Sequence, residues 1–122
     1  MTNRRVPRLN SLLREVISEV IERDVSNPKL PSLITVTEVS ITEDLHYAKV
    51  YITVLGDPKA KQQAVEILNE AAGFIGVTAS KKVVMRFFPA LTFILDETLE
   101  KRLRIEEILG EISQEKRQRE ND

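Results

Sequence analysis

The run Ala48-Lys49-Val50-Tyr51-Ile52-Thr53-Val54 alternates apolar and polar residues without a break, and no other segment constrains the fold as tightly. Successive side chains of a strand point to opposite faces. Ala48, Val50, Ile52 and Val54 therefore share a buried face, with Lys49, Tyr51 and Thr53 on the other. A sheet with one buried face needs its helices on that side only. The segment near 33–41, Leu-Ile-Thr-Val-Thr-Glu-Val-Ser-Ile, is also rich in β-branched residues, and Thr42-Glu43-Asp44-Leu45 between the two predicts a turn. An antiparallel hairpin is the expected result.

Helical spacing surrounds this hairpin. Leu9, Leu12, Leu13, Val16, Ile17, Val20 and Ile21 recur at three- and four-residue steps, which predicts a helix over 8–23 ended by Ser26-Asn27-Pro28. Gly56-Asp57-Pro58 is a second start: Asp57 can cap free N–H groups, and proline suits the first helical position. Ala64, Ile67, Leu68, Ala71 and Ala72 supply its buried face. The pattern weakens at Gly73 and again at Gly76, and each glycine costs about 1 kcal/mol relative to alanine inside a helix. Ala71-Ala72-Gly73 thus predicts a kink, with a short third helix completed over 77–82. Val83–Phe88 reads as a strand continuing past Pro89 into Leu91–Leu95. Pro89 cannot donate to a ladder and belongs at a bulge, an edge or a strand end. Thr98 can cap a last helix with Leu99, Leu103, Ile108, Leu109 and Ile112 on one side. From Ser113 onward no apolar residue remains, so a frayed tail is expected.

The expected architecture is a single α+β domain over 1–112, a small three-stranded sheet packed on helices, with a polar tail over 113–122. The order is α-β-β-α-kink-α-β plus a C-terminal helix. No apolar run approaches the roughly 18–20 residues that span a bilayer. With no cysteine there is neither a disulfide framework nor a thiolate metal site. His46 is the only histidine, so no nucleophile–base pair or histidine metal set can be assembled. The acidic pairs Glu43-Asp44, Asp96-Glu97 and Glu106-Glu107 are sequence neighbours that point in different directions, and turns and caps explain the first two. No catalytic residue, metal site, cofactor or small-molecule substrate is expected, and the location implied is cytoplasmic.

The net charge of −1 conceals an uneven distribution. The first fourteen residues hold four arginines and no acid, and 81–104 hold six basic residues against three acidic ones. Phosphate binding responds to a local basic face, because screening limits distant acids to a reach of about 8–10 Å. Arg4, Arg5, Arg8, Lys81, Lys82, Arg86, Lys101 and Arg102 are the candidate RNA contacts. Gly73-Phe74-Ile75-Gly76 has the G-x-x-G spacing of a nucleotide-clamping loop. Its middle positions are apolar where such a loop is polar or basic, and Phe74 and Ile75 are expected in the core.

Three runs carry a wider likeness: Leu68-Asn69-Glu70-Ala71-Ala72-Gly73-Phe74-Ile75, then Met85 through Asp96, and before them Asp44-Leu45-His46-Tyr47-Ala48-Lys49-Val50-Tyr51-Ile52. With Val36-Thr37-Glu38-Val39 and Arg4-Arg5-Val6, they resemble the bacterial ribosome-binding factor A family over roughly residues 3–112. The resemblance implies a type II KH-like fold whose G-x-x-G loop is replaced by an interhelical kink at Ala71, Ala72 and Gly73. It also implies a non-catalytic assembly factor, a monomer when free. Such a factor binds the small ribosomal subunit and its rRNA during late maturation and supports rRNA processing and growth in the cold. Gly76 and Ala90 stand where relatives commonly carry Arg and Glu, which moves the expected contacts toward the arginines and lysines away from the kink. The residues alone also admit a general single-stranded RNA-binding module, or a protein-interaction adaptor using the open sheet face.

Overall fold

The computed structural model describes residues 5–30 and 33–121. Among these residues seven elements follow one another: α1 (Arg5–Asp24), β1 (Ile34–Ile41), β2 (Tyr47–Val54), α2 (Pro58–Glu70), α3 (Ala72–Ser80), β3 (Ala90–Leu95) and α4 (Thr98–Asn121). The first helix starts three residues before the expected point. Pro7 falls inside its first turn, where no N–H has an intrahelical acceptor and a missing donor costs nothing.

The sheet has the order β1-β2-β3. β1 and β2 are antiparallel, with Ile34 opposite Val54 and Ile41 opposite Ala48; β3 lies parallel to β2, with Tyr47 beside Ala90 and Ile52 beside Leu95. A parallel neighbour needs a crossover, and α2 with α3 supplies it. All three helices α1, α2 and α3 pack on one face. Val50, Ile52 and Phe93 from the sheet meet Leu13, Ile17 and Val20 of α1, Ala64 and Leu68 of α2, and Ile75 and Ala79 of α3. All are at most 1% exposed. The alternation in β2 therefore has the meaning expected of it.

Local chemistry fixes the joints. Asp57 Oδ1 accepts from the Ala60 N–H at 2.7 Å, with Pro58 in the first turn. Gly56 before it has φ +153°, and a Cβ there would lie 3.1 Å from the Ala60 Cβ, so this turn requires glycine. Two helix asparagines bond to the sheet. The Asn69 carboxamide accepts from Phe93 N–H at 2.7 Å and donates to the Phe93 carbonyl at 3.0 Å. Asn10 Oδ1 accepts from Ile41 N–H at 2.9 Å. Replacing Asn69 with Ala orphans both Phe93 backbone groups, which are part-buried. The expected loss is about 2 kcal/mol of unfolding free energy, read from urea melts as a lower midpoint at unchanged slope.

Three joints differ from expectation. Val83–Phe88 is not a strand. β2 begins at Tyr47, and Ala90 N–H already bonds the His46 carbonyl at 2.9 Å, so the residues before Pro89 have no strand left to pair with. Val83, Met85 and Phe88 instead turn half-buried against the core, while Val84 and Phe87 point outward. The kink lies at Ala71, with φ −88° and ψ 2°, and α3 already runs from Ala72 to Ser80. Gly73 sits inside that helix, and a Cβ added to it would meet nothing within 4 Å. The break is thus a bend at an alanine, not a glycine defect. Phe74 is exposed, and only Ile75 enters the core.

Thr98 is the first residue of α4 and not its cap. The Asp96 carboxylate fills that role, accepting from Thr98 N–H at 2.9 Å and, through its other oxygen, from the Thr37 hydroxyl at 2.6 Å. Thr37 is the bulged residue of β1, where the register shifts between Val36 and Glu38. The Thr37 hydroxyl, followed by the Thr98 groups, holds the Asp96 carboxyl below its ordinary pKa. A depressed carboxylate stabilises the fold above its unfolded pKa, and that contribution disappears as pH falls through the folded one. Carbon-13 NMR should find Asp96 titrating below the usual range, and Thr37→Val should move it back up. α4 continues helically to Asn121, across the polar residues from Ser113 onward. From Lys101 to Ile112 every residue is exposed.

Candidate nucleic-acid interface

The hairpin turn sets one wall of a cleft. Leu45 adopts φ +64°, and its N–H donates to the Thr42 carbonyl at 2.9 Å. The Thr42 hydroxyl accepts from Tyr47 N–H at 3.1 Å and donates to Asp44 Oδ1 at 2.6 Å. That same oxygen accepts from His46 N–H at 3.0 Å. These donors, the Thr42 hydroxyl first, hold the Asp44 carboxyl below its ordinary pKa. The turn is therefore rigid, with His46 exposed beside it.

Two further segments complete the cleft. The N-terminal turns of α1 contribute Arg8 and Leu9, and the connector before β3 contributes Val84, Met85, Arg86 and Phe87; the enclosed volume is about 630 Å³. The Arg86 guanidinium lies 5.5 Å from the centre of the Phe87 ring, within cation–π range. Phe87 is 69% exposed, so the ring offers surface to a ligand as well. Arg8 and Arg86 make no ion pair among the described residues. The positive end of the α1 dipole adds to the same corner. Among the described residues Asp44 is the one acid lining it.

The eight basic residues singled out from the sequence do not form one face. Arg4 lies outside the described residues, and Arg5 opens α1. Arg8 and Arg86 share the cleft. Lys81 ends α3 and is exposed. The Lys82 ammonium sits 3.3 Å from Glu19, whose carboxylate also binds Arg23 at 2.9 Å. Lys101 and Arg102 are exposed near the start of α4, with Lys101 4.0 Å from Glu97. Arg86 precedes Ala90, whereas α4 follows Leu95, and β3 separates them by roughly 17 Å. Phe87 is not among the sequence candidates, because a strand over 83–88 gives its ring no outward role. The kink borders a shallow groove of small residues, Ala72, Gly73, Gly76 and Ala90 among them, with no charged side chain in its lining. Among the described residues no three His, Cys, Asp or Glu side chains gather as a metal site. No helix of the described residues is long and apolar enough to cross a membrane.

A helix–kink–helix pair feeding a parallel edge strand, with α1, α2 and α3 on one sheet face, makes this a KH-like α+β domain. The family model described as ribosome-binding factor A matches residues 5–109. The chain belongs to the ribosome-binding factor A family. It is 57% identical over 122 residues to ribosome-binding factor A of Protochlamydia amoebophila, covering all of this chain and 93% of that one. The solution NMR structure of a Thermotoga maritima protein described as a putative ribosome binding factor A superposes with TM-score 0.64 at 30% identity, over 77% of this chain and 90% of that one. A Thermus thermophilus ribosome-binding factor A homology model, fitted into a cryo-EM map of a 30S complex, aligns with TM-score 0.61 at 24% identity, over 73% and 92% of the two chains. That last likeness is one of fold.

Proposed function

We propose that this chain binds the small ribosomal subunit in the cytoplasm as a non-catalytic factor of late maturation, including rRNA processing and growth in the cold. The observation that carries the reading is the meeting of Arg8 and Arg86, exposed and outside ion pairs among the described residues, with His46 and the Phe87 ring in one cleft. Guanidinium groups on an open cleft suit phosphate, and the adjacent aromatic ring suits a base or ribose. Arg5 opens the same helix and Arg4 precedes it in sequence, while Lys81, Lys101 and Arg102 contribute longer-range attraction from elsewhere. Family membership and the 30S complex of the Thermus relative support the choice of partner. Action is then by occupancy: the bound factor favours one rRNA arrangement over another through differential affinity.

Co-sedimentation with immature and mature small subunits across a salt series tests this. Contact with about six phosphates gives a slope of log K against log salt of roughly −4 to −5. A slope near −1, or no enrichment on either subunit, removes the phosphate-binding reading. Equal affinity for short unstructured oligonucleotides favours a general RNA-binding module instead.

A further inference from the structure

We infer that the open face of the sheet is a stacking platform for single-stranded RNA, with Tyr47 and Tyr51 as its two base-binding rings and Lys49 between them. This deepens the rRNA-binding reading and rests on it. The three residues stand at alternate positions of the central strand, on the face opposite α1, α2 and α3. Tyr47 is 63% exposed and Tyr51 is half-buried. Four residues of strand place the rings about 13 Å apart, with Lys49 midway.

The neighbours leave Tyr47 largely uncovered and cover Tyr51 in part. Tyr47 stands beside Ala90, and Lys49 stands between Ser40 and Thr92. Tyr51 is flanked by Glu38 and Ile94. Lys49 makes no ion pair among the described residues. The composition selects the occupant. A protein-docking face draws on contiguous apolar area. Here the outward apolar side chains within the three strands besides the tyrosines are Ala90 and the half-buried Ile94, with the exposed Leu33 and Leu55 only past the strand ends, away from Tyr47. Two rings, an ammonium between them and flanking hydroxyls are instead what unstacked bases and their phosphates require. The platform is also continuous with the cleft, since His46 lines the cleft and Tyr47 follows it directly. A strand held by phosphate at Arg8 and Arg86 passes Phe87 and reaches Tyr47 next.

The sequence contains two tyrosines and no tryptophan. Intrinsic tyrosine emission therefore comes from this face alone. Titrating the full chain with a ten-nucleotide oligoadenylate should quench that emission saturably, and a duplex of the same length should leave it nearly unchanged. Tyr47→Leu and Tyr51→Leu should each weaken binding of a labelled oligoadenylate by roughly ten-fold, with Tyr47→Phe and Tyr51→Phe restoring it. Oligoadenylate binding with unchanged emission overturns the platform, as does absence of any binding while small subunits still co-sediment. Leucine variants that lose small subunits yet keep the oligoadenylate indicate a protein on this face and also overturn it. Loss of co-sedimentation by the unaltered chain is a different result, because it removes the underlying ribosomal reading.

Discussion

A chain carrying Arg8→Glu together with Arg86→Glu should fold normally and bind small subunits on the order of a hundred-fold more weakly. Both guanidinium groups are exposed and outside ion pairs among the described residues, so the folded state loses little beyond the Arg86–Phe87 contact. That contact is worth about 0.5–1 kcal/mol. The bound state loses two phosphate contacts and gains two carboxylates facing a polyanion. The salt slope should become shallower by about two, because two fewer counterions are released. The paired reversal Lys101→Glu and Arg102→Glu changes the same total charge at the other end of β3. If both pairs weaken binding equally, the effect is one of overall charge and the cleft has no special place. Unchanged binding by the first pair takes the cleft out of the interface.

Phe93→Ala should cost about 3–5 kcal/mol, the largest stability effect expected of any single substitution in this domain. Phe93 is 1% exposed and reaches the helix layer from the edge strand beside α2. Removing the ring leaves a cavity that a three-stranded sheet cannot collapse into without pulling β3 from α2. Domains of this size have total stabilities of about 5–15 kcal/mol, so the variant is expected to sit near the limit of folding. A fall in melting midpoint on the order of 10–20 °C checks it, with Phe93→Leu expected to cost less than about 2 kcal/mol because most of the volume is kept.

The elements legible in the sequence are those whose causes are local. Ala48 to Val54 shows which face is buried, because alternation has one geometric meaning. Asp57-Pro58 locates a helix start through capping chemistry that needs no distant partner. Expectation and structure part where a distant partner decides. Val83–Phe88 has a strand-like pattern, but whether it pairs depends on where β2 begins. Gly73 and Gly76 count as helix breakers by propensity, yet α3 tolerates both and the chain bends at Ala71. Lys82 reads as a free cation until α1 brings Glu19 to it. Arg8 and Arg86 lie 78 positions apart in the sequence, and only the hairpin turn between them makes one cleft. The alternation turns Tyr47 and Tyr51 outward, but nothing local in the sequence shows that the face they share stays open.

The two asparagines have a consequence beyond the bonds they satisfy. Asn69 occupies both main-chain groups of Phe93 on the outer margin of β3, and Asn10 takes the Ile41 N–H on the outer margin of β1. Each margin is thereby blunted against an incoming strand, whether from another copy of the chain or from an extended peptide. Each margin carries one such obstacle to sideways growth of the sheet. An incoming strand has to displace these side chains before it can pair, which disfavours indiscriminate strand exchange.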